Sequence, residues 1–156
     1  MGGKTMSTEK QYALTVNDIL SQYIAIHDDI LKTSIRRIIP IPGIFKAIDY
    51  GSHSKALFNL ESQLMTIIAA LVLLKDQKDR PAIKTEFVTA LENYTRALMD
   101  SVTRLKDICE KLYKKSQGES GYDMAVYNKD MDDYKISTKR YYEFGDALNA
   151  LYNKLD

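Results

Sequence analysis

The chain has 156 residues, of which 45% are hydrophobic, and its 22 Lys and Arg residues balance 21 Asp and Glu residues. This length suits one domain, residues 1–156, and we expect residues 1–7 to be flexible. The near-zero net charge excludes a strongly basic nucleic-acid binder. A single cysteine excludes an internal disulfide, and no apolar signal segment opens the sequence, so we expect a cytoplasmic protein.

The first predicted helix begins near Thr8, which has the spacing of a capping box with Gln11, and it continues to about Arg37. Its apolar residues follow steps of three and four, which places side chains on one face of a helix. They are Tyr12, Val16, Ile19, Tyr23, Ile26 and Ile30. His27 falls within this stripe, where a lone histidine is more often a hydrogen-bonded core residue than a ligand or a base.

Residues 38–54 form the predicted main connection between the first and second helices, and the part at residues 38–50 is unusually apolar for a loop. Pro40 and Pro42 stiffen the backbone. Two interpretations stay open: the segment folds as a lid over one end of a bundle, or it is a contact surface for a partner protein or a membrane surface. The side chains that would make such a contact are Ile41, Ile44, Phe45 and Ile48.

The second predicted helix contains the most apolar stretch of the chain, residues 57–74, with Ser52 or Ser54 expected as its cap. Its unbroken apolar run is about half of the roughly 20 residues that a membrane span needs, so we predict a buried core helix. One core seam follows helical spacing, and a second row predicts that other helices surround this element. The seam is Leu57, Leu60, Leu64, Ile67, Leu71 and Leu74, and the second row is Phe58, Met65, Ile68 and Val72.

Leu73 lies on a different side of this helix from the core seam. It follows Leu64 by nine residues and therefore points about 180° away from it, at 100° per residue. The end of the helix is thus apolar all round, and we predict that Leu73 contributes surplus apolar surface for a partner.

The third predicted helix starts near Pro81, with Asp79 or Arg80 at its cap, and it reaches about Lys115. Cys109 flanks its apolar seam and is expected to pack in the core rather than to act as a nucleophile.

The fourth predicted helix runs from about Tyr122 to Asn153, and its core face is rich in tyrosine. Because each buried phenol needs a partner for its hydroxyl, this face is expected either to reach the edge of the bundle or to line a polar-tipped cavity. Gly145, inside this helix, marks a close approach or a bend. The candidate residues of a ligand cavity are His27, Tyr127, Tyr134 and Tyr141.

The sequence lacks the common catalytic and cofactor motifs. It has no CxxC, GxGxxG, GxxxxGK[ST] or GxSxG pattern. His27 and His53 do not follow glutamates at the spacing of a di-iron bundle, and the acidic residues at 130, 132 and 133 lack the spacing of a calcium loop. We therefore expect no catalytic residue, no metal and no cofactor.

Four helices of about 30 residues, each roughly 45 Å long, predict an all-α fold. The connections favour an antiparallel up-down-up-down four-helix bundle with an apolar, proline-containing connection between helices 1 and 2.

Our functional hypothesis is a non-enzymatic protein–protein interaction module, an adaptor or small inhibitor of the immunity type, which binds a protein partner or a second copy through a helical face and residues 38–50. The alternatives are a small-molecule-sensing bundle with the His and Tyr cavity, and a membrane-surface-active helical protein. No nucleic-acid partner is expected.

Overall fold

The computed structural model describes residues 7–36 and 49–155 of the chain. This part contains four helices and no strand: α1 (Thr8–Arg36), α2 (Tyr50–Lys75), α3 (Ala82–Ser116) and α4 (Met124–Tyr152). The helices pack against one another, which confirms the predicted all-α class. Of the predicted connection at residues 38–54, only residues 49–54 are described, and 50–54 belong to α2 instead of a loop.

Several helices start on a different cap from the one that the sequence predicts. Ser7 caps α1 one position early, because its Oγ accepts the backbone N–H of the residue three positions later at 3.3 Å. Asp49 caps α2 in place of Ser52 or Ser54, since its Oδ1 accepts the Ser52 backbone N–H at 2.9 Å. Pro81 occupies the cap position of α3 and makes no side-chain hydrogen bond there. Apolar spacing locates a helix, whereas its cap depends on which polar group reaches the first free N–H groups.

α3 is the centre of the fold, because it packs extensively against α2 and α4 and also contacts α1. Its fully buried residues include Leu91, Leu98 and Leu105, and burial of each such side chain contributes about 1.5–3 kcal/mol. The apolar pattern predicts instead that α2 is surrounded by other helices, and this prediction is wrong. The predicted seam of α2 is buried against its neighbours, but Phe58 and Met65 of its second row face outward.

α2 also has the composition of a membrane-spanning helix. In the described part of the chain it is the one helix long and apolar enough to cross a membrane, with a mean hydropathy of 1.8 over its most apolar window, and 33% of that window is buried. The core helix of a soluble protein passes the same test, so hydropathy does not distinguish the two. The structure adds that one side of α2 is buried against the other helices and another side is exposed.

α4 is less buried than its tyrosine-rich sequence predicts. Its buried residues are Tyr134, Ser137 and Tyr141. Met124 and Phe144, which the pattern places on or beside the core face, are exposed. The reason is that α4 packs mainly on α3, so only a narrow line of its surface is covered.

Candidate functional site

Three large apolar side chains of α2 face outward: Phe58, Met65 and Leu73, which are 56%, 58% and 70% exposed. At 100° per residue they fall within an arc of about 80° on the helix surface. We call these three residues the outer face of α2. Single exposed apolar residues are ordinary, but several on one face of a helix are typical of a contact surface.

The outer face of α2 is almost free of charge. Glu61 is the only charged residue between positions 59 and 74, and α3 holds its carboxylate. Lys106 Nζ donates to its Oε1 at 3.0 Å, and the Thr103 hydroxyl donates to its Oε2. Burial raises the pKa of Glu61, but these two hydrogen bonds outweigh that effect and lower it, so the carboxylate stays ionised and bound.

Leu73 is the one predicted partner-binding residue that the structure describes, and it is exposed. Ile41, Ile44, Phe45 and Ile48 lie outside the described residues. Sequence reasoning missed the other two members of the outer face because it assigned their row to the core. The missed signal is that Phe58 and Met65 lie farther round the helix from the seam than Ile68 of the same row, which is buried.

A second candidate site lies between α1 and α4, where buried tyrosines meet a half-buried histidine. His27 Nδ1 lies 2.5 Å from the Tyr134 hydroxyl, which also forms a hydrogen bond with the Tyr23 hydroxyl. Tyr141 packs edge-on against Tyr23, with ring centres 6.2 Å apart. We call these four residues the interior tyrosine cluster. The sequence predicts three of them as site residues and places Tyr23 only in the core.

Burial sets the protonation states within this cluster. It lowers the pKa of His27, an effect that nearby Asp28 opposes, and it raises the pKa of Tyr23 and of Tyr134. At neutral pH the imidazole is therefore neutral and the phenols are protonated. The Tyr23 and Tyr134 hydroxyls and Nδ1 of His27 are all paired if Tyr23 donates to Tyr134 and Tyr134 donates to Nδ1. Pairing of this kind is typical of a structural polar network.

Two buried serines extend the polar network to α3. The Ser101 hydroxyl donates to the Ser137 hydroxyl at 3.0 Å, and the Ser137 hydroxyl donates to the backbone carbonyl of Tyr134 at 2.7 Å. These bonds connect α1, α3 and α4 at one level of the fold, which favours a positioning role for the cluster.

Tyr127, the remaining predicted ligand residue, is half-buried and does not join the cluster. Its ring packs edge-on against Tyr122, with centres 6.1 Å apart. The Tyr122 hydroxyl donates to Asp130, which also accepts from Lys111 of α3 at 2.9 Å. The structure thus brings three of the four predicted ligand residues together and separates the fourth.

The structure also shows how the possible metal ligands and the one cysteine of the chain are arranged. Within residues 7–36 and 49–155, no three His, Cys, Asp or Glu side chains are grouped closely enough to hold a metal ion. Cys109 is buried, and its thiol donates to the Tyr50 carbonyl at 3.3 Å. Burial raises the pKa of this thiol to about 12, with smaller contributions from Glu110 and Asp49.

Comparison of the chain with protein-family models, curated proteins and solved structures gives no match. Any function assigned to this chain rests on its own residues and their geometry.

Proposed function

We propose that this protein is a non-enzymatic protein–protein interaction module, an adaptor or small inhibitor of the immunity type, which acts in the cytoplasm through the outer face of α2. The observation that carries the proposal is the exposure of Phe58, Met65 and Leu73 on one nearly uncharged side of a helix. The cores of protein interfaces are likewise depleted of charged residues and enriched in Phe and Met. An apolar helix face of this kind is covered by a second helix in coiled coils and in helix-in-groove complexes.

The occupant that we propose for the outer face is the same face of a second copy. Phe58 and Val72 lie seven residues before and after Met65. Apolar side chains therefore stand at equal spacing on both sides of Met65, whereas Leu73 has the buried Leu57 as its counterpart and would lie at the edge of the contact. In an antiparallel α2–α2 pair, Met65 would meet Met65 of the second copy, and Phe58 would meet its Val72. A surface that complements itself in this way is what a twofold dimer requires.

We further infer that the helices run alternately up and down. Between α2 and α3, Glu61 bonds with Lys106 and Lys75 pairs with Glu92, so positions later in α2 meet positions earlier in α3. The α1 to α4 contacts support the same order, because Lys10 lies over the Tyr152 ring whereas residue 27 of α1 meets residue 134 of α4. That residues 38–50 cross over one end of the helical bundle stays a prediction.

Sedimentation velocity over a range of concentrations tests the dimer directly. We expect the wild type to shift from monomer to dimer as concentration rises, and Met65→Glu to stay monomeric because it places a charge at the centre of the contact. Met65 is preferable to Phe58, because Lys106 lies 5.6 Å from the centre of the Phe58 ring and a change there would also disturb the α2–α3 contact. The dimer should depend only weakly on salt, since Glu61 is the one charged residue between positions 59 and 74 and it is bonded to Lys106.

Ile136→Glu on α4 is the matched control, because Ile136 is 62% exposed but lies on another helix. It should dimerise like the wild type. A wild type that stays monomeric at every concentration, or a dimer that survives Met65→Glu, would contradict the proposal. Binding of the wild type to neutral vesicles in a flotation assay, lost in Met65→Glu, would instead assign the outer face to a membrane surface. The predicted contribution of residues 38–50 is tested in the same assays with Phe45→Asp.

A further inference from the structure

A cleft of about 310 Å³ opens between α1 and α4, away from the outer face of α2. Short side chains on both helices leave this space. Ala13 lines it from α1 and Gly145 lines it from α4. A Cβ atom on Gly145 would lie 3.3 Å from Cε2 of Tyr94, so the missing side chain is what admits the Tyr94 ring from α3. The close approach that the sequence predicts at Gly145 is thus made by a tyrosine.

Tyr94 gives the cleft a polar group with unused hydrogen-bonding capacity. Only 8% of Tyr94 is exposed, and its ring packs edge-on against Tyr141 with centres 6.0 Å apart. In the described part of the chain, the structure gives its hydroxyl no hydrogen-bond partner. Burial raises the pKa of Tyr94 to about 12, so the phenol is a neutral donor at physiological pH. Because this oxygen is not fully enclosed by protein atoms, the acceptor of a ligand in the cleft can reach it and receive its hydrogen bond.

The lining of the cleft restricts the chemistry of what it accepts. None of the lining residues carries a formal charge; Leu20 and Leu148 supply apolar walls, and Asn17 and Asn149 supply exposed amides. A volume of about 310 Å³ is at the lower end of ligand pockets, which span about 300–1,000 Å³. A helix, about 10 Å across, is too large for this space. The cleft therefore suits a small neutral molecule better than a peptide, a nucleotide or a metal ion.

We propose that the α1–α4 cleft binds a small uncharged organic molecule whose apolar body lies between Leu20 and Leu148 and whose hydrogen-bond acceptor receives the Tyr94 hydroxyl. The ligand would bridge two helices whose backbones make little contact with each other. It would therefore stabilise the docking of α1, and its binding would raise the apparent stability of the folded chain. This site is independent of the proposed α2 contact, because it lies on other helices.

Titration of the isotope-labelled protein with four small probes, followed by nuclear magnetic resonance, tests the proposal. Acetophenone has an apolar ring and one acceptor, ethylbenzene lacks the acceptor, and benzoate and benzylammonium carry charges. We expect acetophenone to shift the backbone amide signals of Gly145, Asn149 and Ala13, and ethylbenzene to shift them more weakly. Benzoate and benzylammonium should leave them unchanged. Tyr94→Phe should weaken acetophenone binding roughly 3- to 10-fold, the equivalent of one neutral hydrogen bond, without changing ethylbenzene binding.

Ala13→Phe, which fills the cleft from α1, should abolish binding of both neutral probes and leave the sedimentation of the protein unchanged. No signal change at Gly145 and Asn149 with any neutral probe would overturn the proposal. Equal binding of benzoate and acetophenone would overturn the assignment to neutral ligands. Unchanged acetophenone affinity in Tyr94→Phe would overturn the role of the hydroxyl, and because that variant keeps the ring, this result does not depend on whether Ala13→Phe folds.

Discussion

Nδ1 of His27 lies 2.5 Å from the hydroxyl of Tyr134, although 107 positions of the chain separate the two residues. The contact joins α1 to α4, whose backbones make little contact with each other. Because a polar group in apolar surroundings is costly unless it is paired, a hydrogen bond of this kind specifies which helix faces meet. The interior tyrosine cluster is therefore expected to position α1.

Tyr134 is expected to matter more for stability than Tyr23. Tyr134→Phe leaves both His27 Nδ1 and the Tyr23 hydroxyl without their partner, which should lower the free energy of unfolding by about 1–3 kcal/mol. Tyr23→Phe removes one of these two bonds, together with a weaker contact between its hydroxyl and Ser101, and should cost about 0.5–1.5 kcal/mol. Urea unfolding measures both. Tyr113→Phe, which removes a hydroxyl from an exposed ring, is the control, and equal losses in Tyr134→Phe and Tyr23→Phe would contradict the relay.

His27 should make the protein less stable in mild acid. Burial lowers its pKa in the folded state from the ordinary value of 6.5, and Asp28 opposes this shift. As the pH falls below 6.5, the unfolded chain takes up a proton at His27 that the folded chain does not, so the free energy of unfolding decreases. The contribution of neutral His27 to the free energy of unfolding is fully present above pH 6.5, the pKa in the unfolded chain. It is lost as the pH falls through the lower pKa that His27 has in the folded protein.

Urea unfolding of the wild type and of His27→Gln at several values from pH 8 to pH 5 isolates this effect. The stability difference between the two proteins should be constant at the upper end and should change below about pH 6.5 in favour of the variant. All other residues are the same in both proteins, so their contributions to the difference cancel. A difference that does not vary with pH would show that His27 titrates normally in the folded state.

A buried ion pair ties the start of α1 to the turn before α3. Arg80 Nη2 lies 2.7 Å from Glu9 Oε1, and the two side chains are 10% and 5% exposed. Arg80→Met should destabilise the fold by about 3–5 kcal/mol, because it leaves the Glu9 carboxylate buried without its cation. The double variant Glu9→Leu with Arg80→Met should recover most of that loss, since an apolar pair replaces the ions.

Arg104→Met is the matched control for this ion pair. Arg104 pairs with Asp100 at 3.1 Å, but both side chains are more than 40% exposed. Its loss should change stability by less than about 1 kcal/mol. Thermal or urea unfolding of the four proteins compares them, and equal effects of the two arginine substitutions would show that the Glu9 pair is not buried in solution.

Cys109 is expected to be unreactive in the folded protein. Its thiol is buried, with a pKa raised to about 12, so at pH 8 almost none of it is the nucleophilic thiolate. A disulfide reagent such as DTNB should therefore modify the native protein orders of magnitude more slowly than the urea-unfolded chain. Similar rates in both states would indicate an accessible thiol and would reopen a functional role.

The sequence predicts the helices well because apolar spacing is a local property. The seam from Leu57 to Leu71 and the four helical segments follow from steps of three and four residues alone. The burial of Cys109 also follows from its place beside a seam. The helix caps are less predictable, because Asp49 and Ser7 compete with neighbouring polar residues and small differences in geometry decide which one bonds.

The candidate sites depend on how much of each helix the others cover, and periodicity does not contain that information. The second apolar row of α2 is indistinguishable in sequence from a buried row, and only the placement of α3 at the centre leaves Phe58 and Met65 outside. In the same way, the sequence lists His27 and Tyr134 as candidates but does not show that Tyr23 bonds with Tyr134 or that Tyr94 packs on Tyr141, since these pairs lie far apart along the chain. The spacing of side chains along each helix determined by itself that the described part of this chain is helical and where its main apolar seams lie. Tertiary packing alone decided which apolar faces stay exposed and which polar groups meet, because those outcomes depend on contacts between segments that are distant in sequence.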